Sequence, residues 1–294
     1  MASSEPDFAA ESPLLAHELP DAEALVRDAG WNQTADDWKA FLALGTVYAI
    51  RDGGHVIATA ATLPYDGRFA WISMVLVAQA YQRRGLATRL MRRCVEGLKA
   101  AGLVPVLDAT PAGREVYRGL GFVDTWSFQR YAREARPTAD AVALSDAATN
   151  GITIRPITDA IWTDLCAYDA RIFGADRSTL LVRLRGRVPQ FDFYAERNGK
   201  IAGMMLGRDG RVATQIGPVV ADDENIAAAL VQCALAATDT PVFIDVPDTK
   251  SALIAQLAAQ GFVSQRPLTR MLLGRKSAYD DGLRTFAVVG PEFG

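Results

Sequence analysis

The stretch VLVAQAYQRRGLATRLMRRCVEGLKAAG, residues 75–102, decides how the chain is read. Val75, Leu76 and Val77 close an apolar, strand-like run, WISMVLVA, that begins at Trp71. A short loop comes next, Gln82-Arg83-Arg84-Gly85-Leu86-Ala87-Thr88. Beyond it Leu86, Leu90, Cys94 and Leu98 recur at helical spacing and fall on one face. A strand feeding a glycine-containing loop at a helix N-terminus aims several backbone N–H groups at one point. Together with the helix dipole, that arrangement seats a pyrophosphate. Gly85 lets the backbone approach a ligand without a Cβ in the way, and Thr88 offers a hydroxyl. Residues 81–99 hold six basic side chains against one acid, which suits a polyanion. Arg89, Arg92, Arg93 and Lys99 read as the solvated helix face.

Working outward, the chain repeats itself. YAIRDGGHVIATAATLPY from Tyr48 and YAERNGKIAGMMLGRDGR from Tyr194 both read as hairpins, turning at Asp52-Gly53 and at Asn198-Gly199. WISMVLVA then matches TQIGPVVA, VPVLDAT matches PVFIDVP, and YRGLGF matches LAAQGF. These matches set Asp108 against Asp245 and Gly121-Phe122 against Gly261-Phe262. Matching order at a period of about 140 residues means duplicated domains, since solenoid repeats are far shorter. Each half runs helices, hairpin, long strand, helix, strand, helix, strands. That is an α/β order with a mixed sheet. The expected division is a disordered acidic tail over 1–13, a first domain over 14–136, a linker over 137–151 and a second domain over 152–294.

The motif Gln82-Arg83-Arg84-Gly85-Leu86-Ala87 resembles the Q/R-x-x-G-x-G/A signature of the GNAT superfamily of acyl-CoA N-acyltransferases. The order strand, loop, helix, strand, then Tyr117-Arg118-Gly119-Leu120-Gly121-Phe122 strengthens the likeness. It covers residues 20–132, with a weaker version over 152–273, and the whole chain looks like bacterial tandem-GNAT proteins with a divergent second half. The resemblance implies tandem GNAT folds, each a twisted, mostly antiparallel sheet flanked by helices. It implies acetyl-CoA as co-substrate, held by Val75, Leu76 and Val77 along the pantetheine arm and by Gln82 through Thr88 at the pyrophosphate. Thr110, where the family often carries Asn, is either a cofactor contact or a plain turn. Tyr117 is nominated as the acid that protonates the leaving thiolate; otherwise it is a half-buried helix tyrosine. The family's usual glutamate before the loop is missing from Ala70, Trp71, Ile72, Ser73 and Met74, so the base stays unassigned. Asp108 is a candidate base by position, yet its match to Asp245 favours a shared structural role; a water relay or an already neutral amine serves equally.

In the second half the loop becomes VVADDENIAAAL, losing the glycine and both arginines and gaining Asp222, Asp223 and Glu224. Leu257 stands where Tyr117 does. That half is expected neither to bind CoA nor to catalyse. Trp31, Asn32 and Gln33 are either acceptor contacts or capping and packing residues with Trp38. Asp176 and Arg177 read as a local salt bridge, and His55 as a surface residue.

The chain's 294 residues carry 31 Lys+Arg and 34 Asp+Glu, a net charge of −3. That balance excludes a broadly basic nucleic-acid binder. Three scattered cysteines and two histidines form no metal motif or disulfide framework, and the chain is expected to need no metal. No apolar run reaches the ~18–20 residues of a membrane span. The expectation is a cytoplasmic monomer or homodimer that transfers acetyl from acetyl-CoA to a primary amine of a small acceptor. A non-catalytic acyl-CoA sensor with a partner-binding second domain is the alternative.

Overall fold

The computed structural model describes residues 10–136 and 151–294. The expected linker lies outside the described residues except for Gly151, and so does the expected tail through residue 9. The chain forms two compact units, with the boundary between Val106 and Leu107.

The first unit contains β1 (Ser12–Pro13), α1 (Leu19–Asp28), α2 (Ala35–Leu44), β2 (Thr46–Asp52), β3 (His55–Tyr65), β4 (Phe69–Val77) and α3 (Leu86–Ala100). It also holds the start of β5 (Val104–Ala109), which crosses the boundary. Strand order is β1-β2-β3-β4-β5, antiparallel except for the parallel β4–β5 pair. β3 is buried without a break from Val56 to Leu63, as expected for a strand covered on both faces. The α3 face predicted from spacing is the buried one: Leu86, Leu90, Met91, Cys94 and Leu98 go inward while Arg92, Arg93 and Lys99 stay exposed.

Two expectations need correction here. Ser12 and Pro13 pair with Ala49 and Tyr48, so ordered strand begins inside the segment assigned to a disordered tail. The first hairpin pairs Asp52 with His55, which moves its turn one residue on, to Gly53-Gly54. Both turn positions have positive φ, +55° and +86°, and two adjacent glycines meet that demand better than Asp-Gly. The second hairpin turns at Asn198-Gly199 as read.

The second unit continues with α4 (Pro111–Gly119), β6 (Phe122–Arg133), β7 (Ile152–Pro156), α5 (Asp159–Phe173), α6 (Ser178–Leu184), β8 (Phe193–Arg197) and β9 (Lys200–Arg208). Then come β10 (Thr214–Ala221), α7 (Glu224–Ala236), β11 (Val242–Pro247), α8 (Ser251–Ala259), β12 (Val263–Leu273) and β13 (Thr285–Ala287). Its sheet runs β12-β6-β11-β10-β9-β8-β7, with β13 against β10. Ile226, Leu230 and Val231 of α7 and Leu253 and Leu257 of α8 pack on Ile216, Val219, Ile244 and Val246 of the sheet.

β6 belongs by sequence to the first repeat, yet it lies between two strands of the second. It pairs with β12 from Phe122↔Leu273 to Ala132↔Val263 and with β11 from Phe128↔Pro247 to Arg133↔Val242. The compact units and the sequence halves therefore divide the chain at different places.

Candidate active site

β4 pairs with β5 only through Phe69, Ala70 and Trp71, and then runs on to Val77. Opposite, on β3, Thr59 faces Leu76 and Ala61 faces Ser73, so Met74 and Val75 together oppose Ala60. This is a β-bulge, and Met74 sits in it at φ +52°, rare for a bulky residue. The Thr59 hydroxyl, fully buried, donates to the Met74 carbonyl at 2.9 Å and pins the bulge. The bulge turns the backbone of Val75, Leu76 and Val77 along a stretch that β5 no longer pairs; Leu76 and Val77 keep their register on β3, and the backbone groups on the β5 side are left for an extended ligand.

The loop after β4 is braced by its own side chains. Gln82 Nε2 donates to the Val77 carbonyl at 3.2 Å, and the Arg84 guanidinium donates to the Ala80 carbonyl at 2.9 Å while lying over the Tyr81 ring. Tyr81 donates its hydroxyl proton to Asp52 at 2.7 Å. Arg83 and Gly85 both have left-handed backbone, φ +61° and +77°, and α3 starts directly after Gly85. A Cβ at Gly85 would meet no protein atom within 4 Å, so the space in front of the helix end is open. Glycine has no side chain to cap α3. The first-turn donors at Leu86, Ala87 and Thr88 are left to solvent or to an anion, and a pyrophosphate fits there. Gln82, Arg83 and Arg84 are exposed around it, and Thr88 is half-buried. Arg89 pairs with Glu11.

Trp31, Asn32 and Gln33 lie between α1 and α2 in the same unit. Asn32 and Gln33 are buried, and Gln33 Oε1 has no hydrogen-bond partner; the Ser73 hydroxyl on β4 is likewise buried and unpartnered. The cap of α2 is Thr34, whose amide donates to Asp37 at 2.9 Å, and Trp38 is wholly buried with its ring edge toward Phe41.

Thr110 and Tyr117 belong to the second unit. Thr110 caps α4, accepting from the Gly113 amide at 3.2 Å. Tyr117 is half-buried, its ring 6.2 Å from that of Phe122. Gly113 makes room for it, since a Cβ there would lie 2.9 Å from the tyrosine ring. Arg114 and Arg118 both bind Asp124, and they hold its carboxyl down at about 2. The Asp108 side chain is fully buried and receives two hydrogen bonds from Arg270, each 2.9 Å; Asp245 receives two from Arg130, at 2.8 and 2.7 Å. Both carboxylates are thus engaged by buried arginines, the arrangement that a shared structural role predicts. Arg177 is bidentate to buried Asp169, not to neighbouring Asp176, which instead accepts from the Ser178 amide. Burial pushes the Cys94 thiol up to about 12 and Cys166 up to about 11, so neither is a ready nucleophile. Among the described residues no cluster of His, Cys, Asp and Glu is placed to hold a metal, and no helix is long and apolar enough to cross a membrane.

Profiles of known families place this frame. The Acetyltransferase (GNAT) family matches residues 14–122, and an Acetyltransferase (GNAT) domain matches residues 165–287. The chain belongs to the GNAT superfamily. It is an acyltransferase of the N-acetyltransferase kind, and acetyl-CoA is the co-substrate of its family. The uncharacterized N-acetyltransferase YitH of Bacillus subtilis is 25% identical over 240 residues, 81% of this chain and 82% of its own. A crystal structure of a putative acetyltransferase from Pyrococcus horikoshii superposes over the full length of both chains with a TM-score of 0.77 at 19% identity. A tandem GNAT protein from the clavulanic acid biosynthesis pathway gives 0.65 at 17% identity, over 90% of this chain and 97% of that one.

The second GNAT copy shows what its residues do in place of a phosphate loop. Asp223 caps α7, accepting from the Asn225 and Ile226 amides at 3.0 and 3.1 Å. Glu224 accepts from the Leu253 amide, and Asp222 accepts from the Tyr168 hydroxyl at 2.9 Å. The helix end that α3 leaves open is thus closed on α7 by the chain's own carboxylate. Leu257 is fully buried in the core. The bulge is retained, with Gly217 and Pro218 opposite Leu206, but Pro218 stands where the first copy has Val75 and carries no N–H. The reading from sequence missed both bulges. The signal available was the Gly-Pro of TQIGPVVA; Met74 gave none, because its strain comes from register rather than residue type.

Proposed function

We propose that the first GNAT copy moves the acetyl group of acetyl-CoA to a primary amine of a small-molecule acceptor, and that the second copy does not catalyse. The contrast between the two helix ends carries this reading: Gly85 leaves α3 open to a phosphate, and Asp223 occupies the same place on α7. Val75, Leu76 and Val77 pair with the pantetheine arm, and their amides help bear the charge that develops on the thioester oxygen. Gln82, Arg83, Arg84, Gly85, Leu86, Ala87 and Thr88 hold the pyrophosphate, and Thr110 supports the cofactor. The amine attacks the thioester carbon and gives up its extra proton to water, the C–S bond breaks, and Tyr117 gives its phenolic proton to the departing thiolate. Trp31, Asn32 and Gln33 face the acceptor; the unpartnered oxygen of Gln33 supports a donor on that molecule. The protein works in the cytoplasm as a monomer or homodimer, with its sequence repeats over 14–136 and 152–294.

Calorimetric titration with acetyl-CoA tests this. One site per chain is expected, and release of free thiol should then accompany addition of the right amine. Two sites would overturn the inert second copy, and no binding would sink the assignment. A second reading, an acyl-CoA sensor, draws on one observation: β4 carries no carboxylate to serve as base. Tight acetyl-CoA binding with no thiol release across a broad amine panel would favour it.

A further inference from the structure

In the second copy, parallel pairing between β10 and β11 runs from Thr214↔Val242 to Ile216↔Ile244 and then stops, as pairing of β4 stops at Trp71 in the first copy. The gap is filled by the chain itself. β13 lies antiparallel to β10, with Ala287 against Val219 and Thr285 against Val220. The Ala221 amide donates to the Arg284 carbonyl at 3.0 Å, and the Val288 amide donates to the Asp245 carbonyl on β11 at 3.1 Å. By the alignment of the two copies, Val219 and Val220 stand where the first copy has Leu76 and Val77. Gly217 allows the approach, because a Cβ there would lie 2.0 Å from the Val288 carbonyl oxygen.

Residues 285–294, from β13 to the last glycine, are held like a ligand. Phe286 and Phe293 are buried, and the Glu292 carboxylate forms a buried ion pair with Arg208 of β9. Arg177 donates to the Gly294 carbonyl at 2.9 Å. The Gly290 carbonyl accepts from the amides of Phe293 and Gly294, which folds the segment into a compact turn. The stretch leading into the segment, Gly274, Arg275, Lys276 and Ser277, is exposed at Arg275, Lys276 and Ser277.

We propose that the second GNAT copy has become a peptide-strand site whose resident ligand is residues 285–294 of this chain. The ligand class is an extended peptide that adds a strand to β10 and delivers a glutamate to Arg208 with an aromatic side chain beside it. The proposal rests on the reading that residues matching Leu76 and Val77 mark the cofactor's arm.

A full-length chain with a specific protease site inserted between Lys276 and Ser277 tests it, the uncut form serving as the folded control. After cutting, the released piece is expected to co-elute with the rest of the chain and to exchange with a fluorescent synthetic peptide of residues 277–294, one per chain. A peptide carrying Glu292→Ala should compete at least ~10-fold more weakly, because it lacks the carboxylate that pairs with the buried Arg208 guanidinium. Failure of the labelled peptide to enter, equal competition by the Glu292→Ala peptide, or loss of far-UV dichroism on cutting would each overturn the proposal. Hydrogen exchange on the intact protein gives a second reading. The Val288 and Val289 amides should exchange by local release, at least ~10-fold faster than those of Met204 and Met205. Exchange of both pairs only by global unfolding would make the segment an ordinary strand. Acetyl-CoA titration of the first copy reports separately on the proposed activity.

Discussion

Gly85 is asked for two things at once, a left-handed backbone at φ +77° and an unobstructed face at the α3 N-terminus. Glutamate at this position costs ~1–2 kcal/mol in backbone strain and sets a negative charge where phosphate would sit. Gly85→Glu is therefore expected to abolish saturable acetyl-CoA binding while far-UV dichroism is kept; unchanged affinity would remove the loop from the site. Tyr117 tests the chemistry instead of the binding. Tyr117→Phe keeps the ring packed on Phe122 and removes only the proton, so kcat should fall ~10²-fold or more with acetyl-CoA affinity unchanged. A wild-type rate would return Tyr117 to a packing role.

Between elements, the two repeats are tied crosswise. Arg130 of β6 binds Asp245 of β11, and Arg270 of β12 binds Asp108 of β5, all four side chains nearly or wholly buried. Removing one partner strands a buried charge, and Arg130→Leu should cost ~3–5 kcal/mol in urea unfolding. Adding Asp245→Leu to it should recover much of that loss, because no lone charge remains. α4 is fixed to β6 by a different kind of contact, Arg114 and Arg118 on the partly exposed Asp124. The folded carboxyl titrates at about 2, below its ordinary 3.8. The stabilisation is therefore full above about pH 4 and lost as pH falls toward 2. Thermal unfolding of wild type and Asp124→Asn should differ near neutrality and draw together as pH falls toward 2; a gap as large at pH 2 as at neutrality would mean the contact is not electrostatic.

Across the whole molecule, the last strand of the first repeat sits between two strands of the second. Residues 1–136 made alone would leave β6 with neither β11 nor β12 and expose both of its edges. Such a fragment is expected to aggregate or to show depleted strand signal, whereas the full chain runs as a discrete species on gel filtration. A well-folded, monomeric fragment would show that β6 can pair elsewhere.

Local chemistry was enough for much of this protein. A strand, a glycine loop and an amphipathic helix are each written in a few consecutive residues, so residues 75–102 were enough to point to the family and to nominate a phosphate seat. The duplication showed because hairpins and strand ends kept their order, and the loss of the second loop showed in three acids. Four other features depended on partners outside any short window. The bulge at Met74 arises from register against β3; the placement of β6 arises from pairing with β11 and β12. The roles of Asp108 and Asp245 waited on Arg270 and Arg130, which lie 162 and 115 residues away. The filling of the β10–β11 gap by β13 also leaves no mark in any short window. Residue type and spacing decide what a segment can form, and only tertiary structure decides which distant segment completes it.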